Sequence, residues 1–159
     1  MDVTLRPITD EDLGFLRDLY ASTREEELAQ ATDWSPEQKR AFLTQQFEAQ
    51  HHHYRTYYTG ASFDLVVGDG RPIGRLYVSR WEREIRVIDI AMVPAARGHG
   101  IGSALLRELL DEAAQTGRCV SIHVERFNPA QRLYRRLGFR AVDDTGPYLL
   151  MEWRPAGVT

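Results

Sequence analysis

With a single cysteine, Cys119, this chain has no second thiol to close an intramolecular disulfide. It contains no apolar run of about 18 residues, the length that would suggest a membrane-crossing helix, and no secretory leader. These absences make the cytoplasm the expected compartment, with no membrane partner expected. Positive charge is not in excess either. The net charge is −3, so no uniformly basic surface is available to nucleic acid, although Arg132, Arg135, Arg136 and Arg140 cluster locally. Repeats, linkers and low-complexity stretches are also missing. The 159 residues suit one domain over 1–159, long enough to bury about two-thirds of its unfolded surface. Cys119 falls in an apolar strand pattern and reads as a small core residue rather than a nucleophile.

Along the chain, Val3, Leu5 and Ile8 mark a first strand over 2–8, and Thr9-x-x-Asp12 caps a helix to about Ala21. Ser35-Pro36-Glu37-Gln38 is a full start signal, with Ser as cap, Pro at the first helical position and Gln closing a capping box, for a helix to about His53. Between them, Ser22 to Trp34, with Glu25, Glu26 and Glu27, reads either as a partly irregular segment lining a cleft or as a solvated helical face. Strands follow at about 62–68, 73–81 and 84–93, with an Asp69-Gly70 hairpin turn between the first two. A helix at 100–116 comes next. Val120, Ile122 and Val124 then alternate with Ser121, His123 and Glu125, giving a strand with one apolar and one polar face. A short helix opens at Asn128-Pro129 and stops at Gly138. The chain closes with a hairpin from about 140 to 154 around Asp143-Asp144-Thr145-Gly146-Pro147.

The most informative stretch is Arg97-Gly98-His99-Gly100-Ile101-Gly102-Ser103, a glycine-rich turn between a strand and a helix. Alternate glycines let the backbone approach a ligand, and a helix N-terminus offers unpaired N–H groups with a positive dipole end, so the turn fits a pyrophosphate. A tight turn with no ligand would have the same spacing. Two familiar phosphate loops fail: a P-loop needs Lys then Ser or Thr after its last glycine, and a dinucleotide fingerprint needs G-x-G-x-x-G. The spacing instead resembles the acetyl-CoA loop of the GNAT superfamily of N-acetyltransferases, Arg or Gln-x-x-Gly-x-Gly or Ala, matched here by Arg97, Gly100 and Gly102.

A second motif carries the same resemblance. In Asn128-Pro129-Ala130-Gln131-Arg132-Leu133-Tyr134-Arg135-Arg136-Leu137-Gly138-Phe139, the Asn, Ala, Leu-Tyr and Gly-Phe recur in the superfamily's order, and the element order is similar to its core over roughly residues 2–154. The resemblance implies an α/β (α+β) fold: a central, mixed, mostly antiparallel sheet of six to seven strands, flanked by about four helices. It also implies a V-shaped splay between the fourth and fifth strands that admits pantetheine. The expected reaction is acetyl transfer from acetyl-CoA, as co-substrate, to a primary amine on a small molecule, peptide or protein, by direct attack in a ternary complex. The rival reading on the same fold is a non-catalytic acyl-CoA or small-molecule sensor. A homodimer is common in the family; nucleic acid is not an expected partner.

The chemistry assigns roles. A primary amine with a pKa near 10 is mostly protonated at neutral pH, so a base must act, and the departing thiolate leaves more readily beside a hydroxyl donor. Tyr134 matches the family's acid; without the resemblance it would read as a core aromatic beside Leu133, Leu137 and Phe139. His123, five residues before Asn128, stands where the family's protein N-terminal acetyltransferases place a His or Glu as proposed base. Tyr134 follows Asn128 by six residues where seven is usual, so counting back from the tyrosine reaches Ile122, and the missing residue falls in the Asn-Pro turn. Asp89, alone in an apolar strand, would orient His123 or take the proton through water. The alternative for His123 is a structural ring paired with Asp89 or Glu125. Cofactor contacts are expected from the backbone of Gly98, His99, Gly100, Ile101, Gly102 and Ser103, with Arg97 at their head. The main chain of Met92 and Val93 would pair with pantetheine, and Asn128 would bind the arm or cap the turn. His51-His52-His53 is not expected to bind metal, since consecutive helical side chains point about 100° apart. With Trp34, Tyr54, Tyr57 and Tyr58 it is expected to line the acceptor side, or else to pack as core.

Overall fold

A computed structural model describes residues 1–144 and 146–157; Thr145, in the expected closing turn, lies outside them. The strands form one sheet in the order β1-β2-β3-β4-β5-β7-β6. The chain packs as two compact units, Met1–Leu76 with Ala91–Arg97, and Tyr77–Ile90 with Gly98–Thr159.

In the first unit, β1 (Val3–Pro7) runs antiparallel to β2 (Ser62–Gly68), with Val3 opposite Gly68 and Pro7 opposite Asp64. Asp69 and Gly70 both take positive φ, 50° and 82°, the geometry of a two-residue hairpin turn into β3 (Arg71–Arg80). A 3₁₀ turn at Asp10–Asp12 leads into α1 (Leu13–Ser22). The segment after α1 is not wholly irregular: α2 (Glu25–Ala29) forms a short helix, with Leu28 buried. α3 (Pro36–Tyr57) starts as the capping box dictates. The Gln38 N–H donates to Ser35 Oγ at 3.1 Å and the Ser35 N–H to Gln38 Oε1 at 2.8 Å. It runs a turn beyond His53, because no glycine or proline interrupts the chain before Gly60. Leu16 and Tyr20 of α1, Phe47 of α3 and Leu65 of β2 form the core.

In the second unit, β4 (Glu84–Met92, this unit holding it to Ile90) precedes α4 (Ile101–Thr116), which buries Leu105, Leu106, Leu109, Leu110 and Ala113 at helical spacing. Gly117, at φ 68°, ends α4 in the left-handed conformation. β5 (Cys119–Glu125) pairs antiparallel with β7 (Tyr148–Trp153), from Val120 opposite Trp153 to Glu125 opposite Tyr148. β6 (Arg140–Asp143) follows α5 (Gln131–Arg136) and pairs with β7, with an irregularity between Ala141 and Asp143. β4 and β5 are parallel, paired from Glu84 and Cys119 to Val87 and Ile122. Their pairing stops there, though both strands continue: this is the V-shaped splay, between the fourth and fifth strands.

One buried carboxylate ties the first unit's amino-terminal turn. Asp12, 7% exposed, receives both terminal nitrogens of Arg6 at 2.9 and 2.8 Å and the Thr9 N–H at 2.8 Å. The Arg6 hydrogen bonds, first of all, lower its pKa to about 2. A carboxyl whose folded pKa lies below its unfolded value stabilises the fold above the unfolded value, near 3.9, and that contribution is lost as pH falls through the folded one. We therefore expect Asp12→Asn to melt below the wild type at pH 7, with the gap closing between about pH 4 and pH 2. Thermal unfolding followed by circular dichroism across that range checks it.

Candidate functional site

The glycine turn leads directly into α4. Gly98 and Gly100 both have φ of +77°, and a Cβ at either would meet nothing within 4 Å, so left-handed backbone, not crowding, is what requires glycine there. With Gly100 as N-cap, the first bond of α4 is from the Ala104 N–H to Gly100 O at 3.0 Å. Among the described residues, no backbone carbonyl takes an N–H between Gly98 and Ser103. A row of unpaired amides at the positive end of a 16-residue helix is an anion cradle. Gly102 is different: its φ is ordinary, and a Cβ would lie 4.0 Å from Ile90 Cδ1, so neither strain nor crowding calls for glycine. Glycine costs a helix about 1 kcal/mol relative to alanine, and at Gly102 it leaves open space in which a Cβ would touch Ile90 Cδ1 alone.

In the first unit, the side chain of Arg97 is used internally. Its Nε donates to Met92 O at 3.0 Å and a terminal nitrogen donates to Ser22 Oγ at 3.0 Å. The Val93 N–H is bonded to Ile73 O at 2.8 Å and the Val93 carbonyl accepts from the Ala96 N–H at 2.9 Å. Of the two residues expected to pair with pantetheine, Val93 therefore has its main chain engaged on both sides.

In the second unit, Tyr134 sits on α5, 6% exposed, tilted against Phe139 with ring centroids 5.9 Å apart. Burial first, then the charge of Asp89, pushes its phenol up to about 12. Asp89 thus acts on Tyr134. His123 has a different neighbour: a terminal nitrogen of Arg86 lies 3.3 Å from its Nδ1. The parallel register explains this. Arg86 stands opposite Ser121, so Arg86, Ser121 and His123 share one face, whereas Asp89 is an odd three residues beyond Arg86 and the pleat turns it to the other. Tyr134's helix belongs to that other face: a Cβ at Gly138 would lie 3.1 Å from Trp153, the partner of Val120. The expectation that Asp89 orients His123 is corrected accordingly. Burial and the Arg86 guanidinium hold the imidazole below its ordinary pKa, against opposing pulls from Glu84 and Asp143.

Asn128 acts as a cap, its Oδ1 accepting the Ala130 N–H at 2.9 Å. Cys119 stays part-buried with its thiol pKa raised, by burial first, as suits a packing residue.

The expected acceptor aromatics do not converge. Trp34 precedes α3 and packs edge-on against Phe42 at 5.2 Å, whereas Tyr54 and Tyr58 meet at the helix's far end, 6.4 Å apart. At 1.5 Å per residue, Pro36 and Tyr54 are separated by roughly 27 Å, so these rings cannot bracket one amine. Tyr58 is buried among its neighbours. The imidazoles of His51 and His53 stack on Phe47 and Tyr57, at 5.6 and 5.5 Å. Among the described residues no group of three or more His, Cys, Asp or Glu is placed to hold a metal ion. No described helix is long and apolar enough to cross a membrane.

Arg86, Glu84 and the Ser121 hydroxyl are the residues that reading the sequence missed. Their signal, polar side chains at alternate positions of two strands, becomes informative only once the strands are known to pair in parallel.

Comparison with known proteins gives the family and the fold. The family model described as Acetyltransferase (GNAT) family matches residues 14–139. The N-alpha-acetyltransferase RimI of Mycobacterium tuberculosis is 36% identical over 110 residues, 69% of this chain and 63% of that protein. Streptothricin acetyltransferase of Streptomyces lavendulae is 37% identical over 82 residues, 49% of this chain and 43% of that protein. The matched region thus spans less than two-thirds of either relative's own length. The crystal structure of PaiA N-acetyltransferase from Thermoplasma acidophilum in complex with coenzyme A superposes with a TM-score of 0.71 at 19% identity, over 97% of this chain and 99% of that one, a likeness of fold.

The glycine turn generates a test that separates folding from binding. An acidic residue in the first turn of a helix favours the dipole but repels an anion seated there. Gly102→Glu is therefore expected to melt no lower than the wild type while binding coenzyme A at least about tenfold more weakly by calorimetry, a loss of about 1.4 kcal/mol.

Proposed function

Because this chain belongs to the GNAT family of acetyltransferases, we propose that it is an N-acetyltransferase that carries the acetyl group of acetyl-CoA to a primary amine. The observation that carries the reading is the row of unpaired amides from Gly98 to Ser103 at the head of α4, beyond the point where β4 and β5 part. That row suits a diphosphate. One relative is named an N-alpha-acetyltransferase and another for streptothricin, which makes an amine acceptor, on a small molecule or a peptide, the natural class.

In the proposed reaction the ammonium first loses a proton, either to His123 or, through water, to Asp89 on the other face of the strand, and the freed amine attacks the thioester carbonyl. The tetrahedral intermediate collapses by breaking its C–S bond and releases the coenzyme A thiolate. The nitrogen loses its second proton, which passes to the thiolate directly or through water, giving the neutral amide and the coenzyme A thiol. Tyr134 serves the departing sulfur. A phenol pushed up to about 12 is fully protonated at neutral pH, and a thiolate of pKa about 8.5 does not strip it, so Tyr134 acts by holding a hydrogen bond on the developing charge. His123, its pKa lowered by burial and then by Arg86, takes the proton at Nδ1 once the Arg86 hydrogen bond opens.

Coenzyme A release with a panel of amines and peptides tests this. Turnover is expected with at least one acceptor class, falling about tenfold or more in Tyr134→Phe and in His123→Ala. Tight acetyl-CoA binding without turnover across the panel would overturn the reading in favour of a sensor. The raised phenol pKa also has a sign: a group that keeps its proton to about 12 produces no alkaline loss of rate below about pH 10. A kcat profile to pH 10 with the active acceptor checks it.

A further inference from the structure

We propose that Arg86 is a positioning residue for His123: its guanidinium, itself held by Glu84, Ser121 and Trp81, donates to Nδ1, fixes the ring's orientation and leaves Nε2 as the nitrogen offered to a ligand.

The guanidinium is held from several directions. Its Nε donates to Ser121 Oγ at 2.7 Å, one terminal nitrogen to Glu84 Oε2 at 3.1 Å, and the other lies 3.3 Å from His123 Nδ1. Its carbon stands 5.2 Å over the Trp81 ring, and the Ser121 hydroxyl donates to the same Glu84 carboxylate. Only 12% of the Arg86 side chain is exposed. Arginine has donors and no acceptor, so Nδ1 must contribute its lone pair, and the proton of the neutral ring sits on Nε2. A planar fork anchored at three partners holds that geometry in a way that the single point charge of lysine does not.

Charged groups reach the ring from several strands. Arg86 and Glu84 come from β4 and act in opposite senses; Asp143 on β6 pulls with Glu84; β7 places the apolar Leu150 opposite. The cation in contact, together with burial, prevails over the two carboxylates. The consequence is mechanistic. While the Arg86 bond stands, Nε2 donates a hydrogen bond, and the ring takes a proton only at Nδ1 after Arg86 lets go. This rests on the acetyltransferase reading for the task given to His123, whereas the wiring itself is independent of turnover.

The test reads the ring directly. In ¹⁵N-histidine-labelled protein, the His123 signals, assigned with His123→Gln, are followed from pH 5 to 8.5 in wild type, Arg86→Leu and Glu84→Gln. In wild type we expect an unprotonated Nδ1 and a titration midpoint below about 6.5. Arg86→Leu should raise the midpoint by about half a unit or more and move Nδ1 toward a free lone pair; Glu84→Gln, which removes an opposing carboxylate, should lower it. A midpoint unchanged in folded Arg86→Leu would overturn the proposal. If that variant fails to fold, a midpoint in Glu84→Gln that stays or rises would do so. Because no readout depends on acetyl transfer, an inactive enzyme with the expected titrations would refute the functional reading and leave this one standing.

Discussion

A helix that begins on left-handed glycines cannot satisfy its own first amides, and in this chain none of the carbonyls described nearby takes their place. An amide left without a partner away from water costs on the order of 1–3 kcal/mol, so such a row must stay at the surface or meet an acceptor. Here it stays at the surface, headed by the exposed residues Gly98 to Gly100. Its position follows from two features: α4 is anchored by its leucine stripe, and β4 delivers the chain to it after leaving β5. Strand separation and helix start thus combine to hold an electropositive cradle at the mouth of a gap in a sheet.

Two residues expected to work together are each tuned by a different neighbour. Burial first, then Asp89, raises the phenol of Tyr134, and burial first, then Arg86, lowers the imidazole of His123, so at neutral pH the first keeps its proton and the second lacks an extra one. The phenol is thereby kept as a hydrogen-bond donor and the imidazole as a neutral ring. The pleat produces this difference: side chains an odd number of residues apart leave opposite faces of the strand, and each meets the charge on its own side. Arg86 is in turn bound to Glu84 and Ser121, a small network in which loss of one member leaves another incompletely paired.

Local signals in the sequence were legible in proportion to how local their physics is. The capping box at Ser35 and Gln38, the Asp69-Gly70 turn and the Gly138 stop each depend on a few adjacent residues, and the structure forms all three. The length of α3 was less legible, since a helix ends where something stops it, and nothing does before Tyr58. Trp34 and Tyr54 were grouped by composition, but an uninterrupted helix lies between them and carries them apart. The reading of Asn128 was open between a ligand contact and a cap; a side chain two residues from the Ala130 amide can close its own turn, and does.

The alternating apolar pattern, the paired glycine motifs and the placement of caps and turns were sufficient to determine element order and the family, because they are written in spacings of two to four residues and in one contiguous loop. Only tertiary structure decided which charge stands beside His123, because Arg86 and His123 are 37 residues apart and meet through the register of two parallel strands. A one-residue slip would have turned Arg86 to the opposite face, and no local pattern in either strand specifies that register.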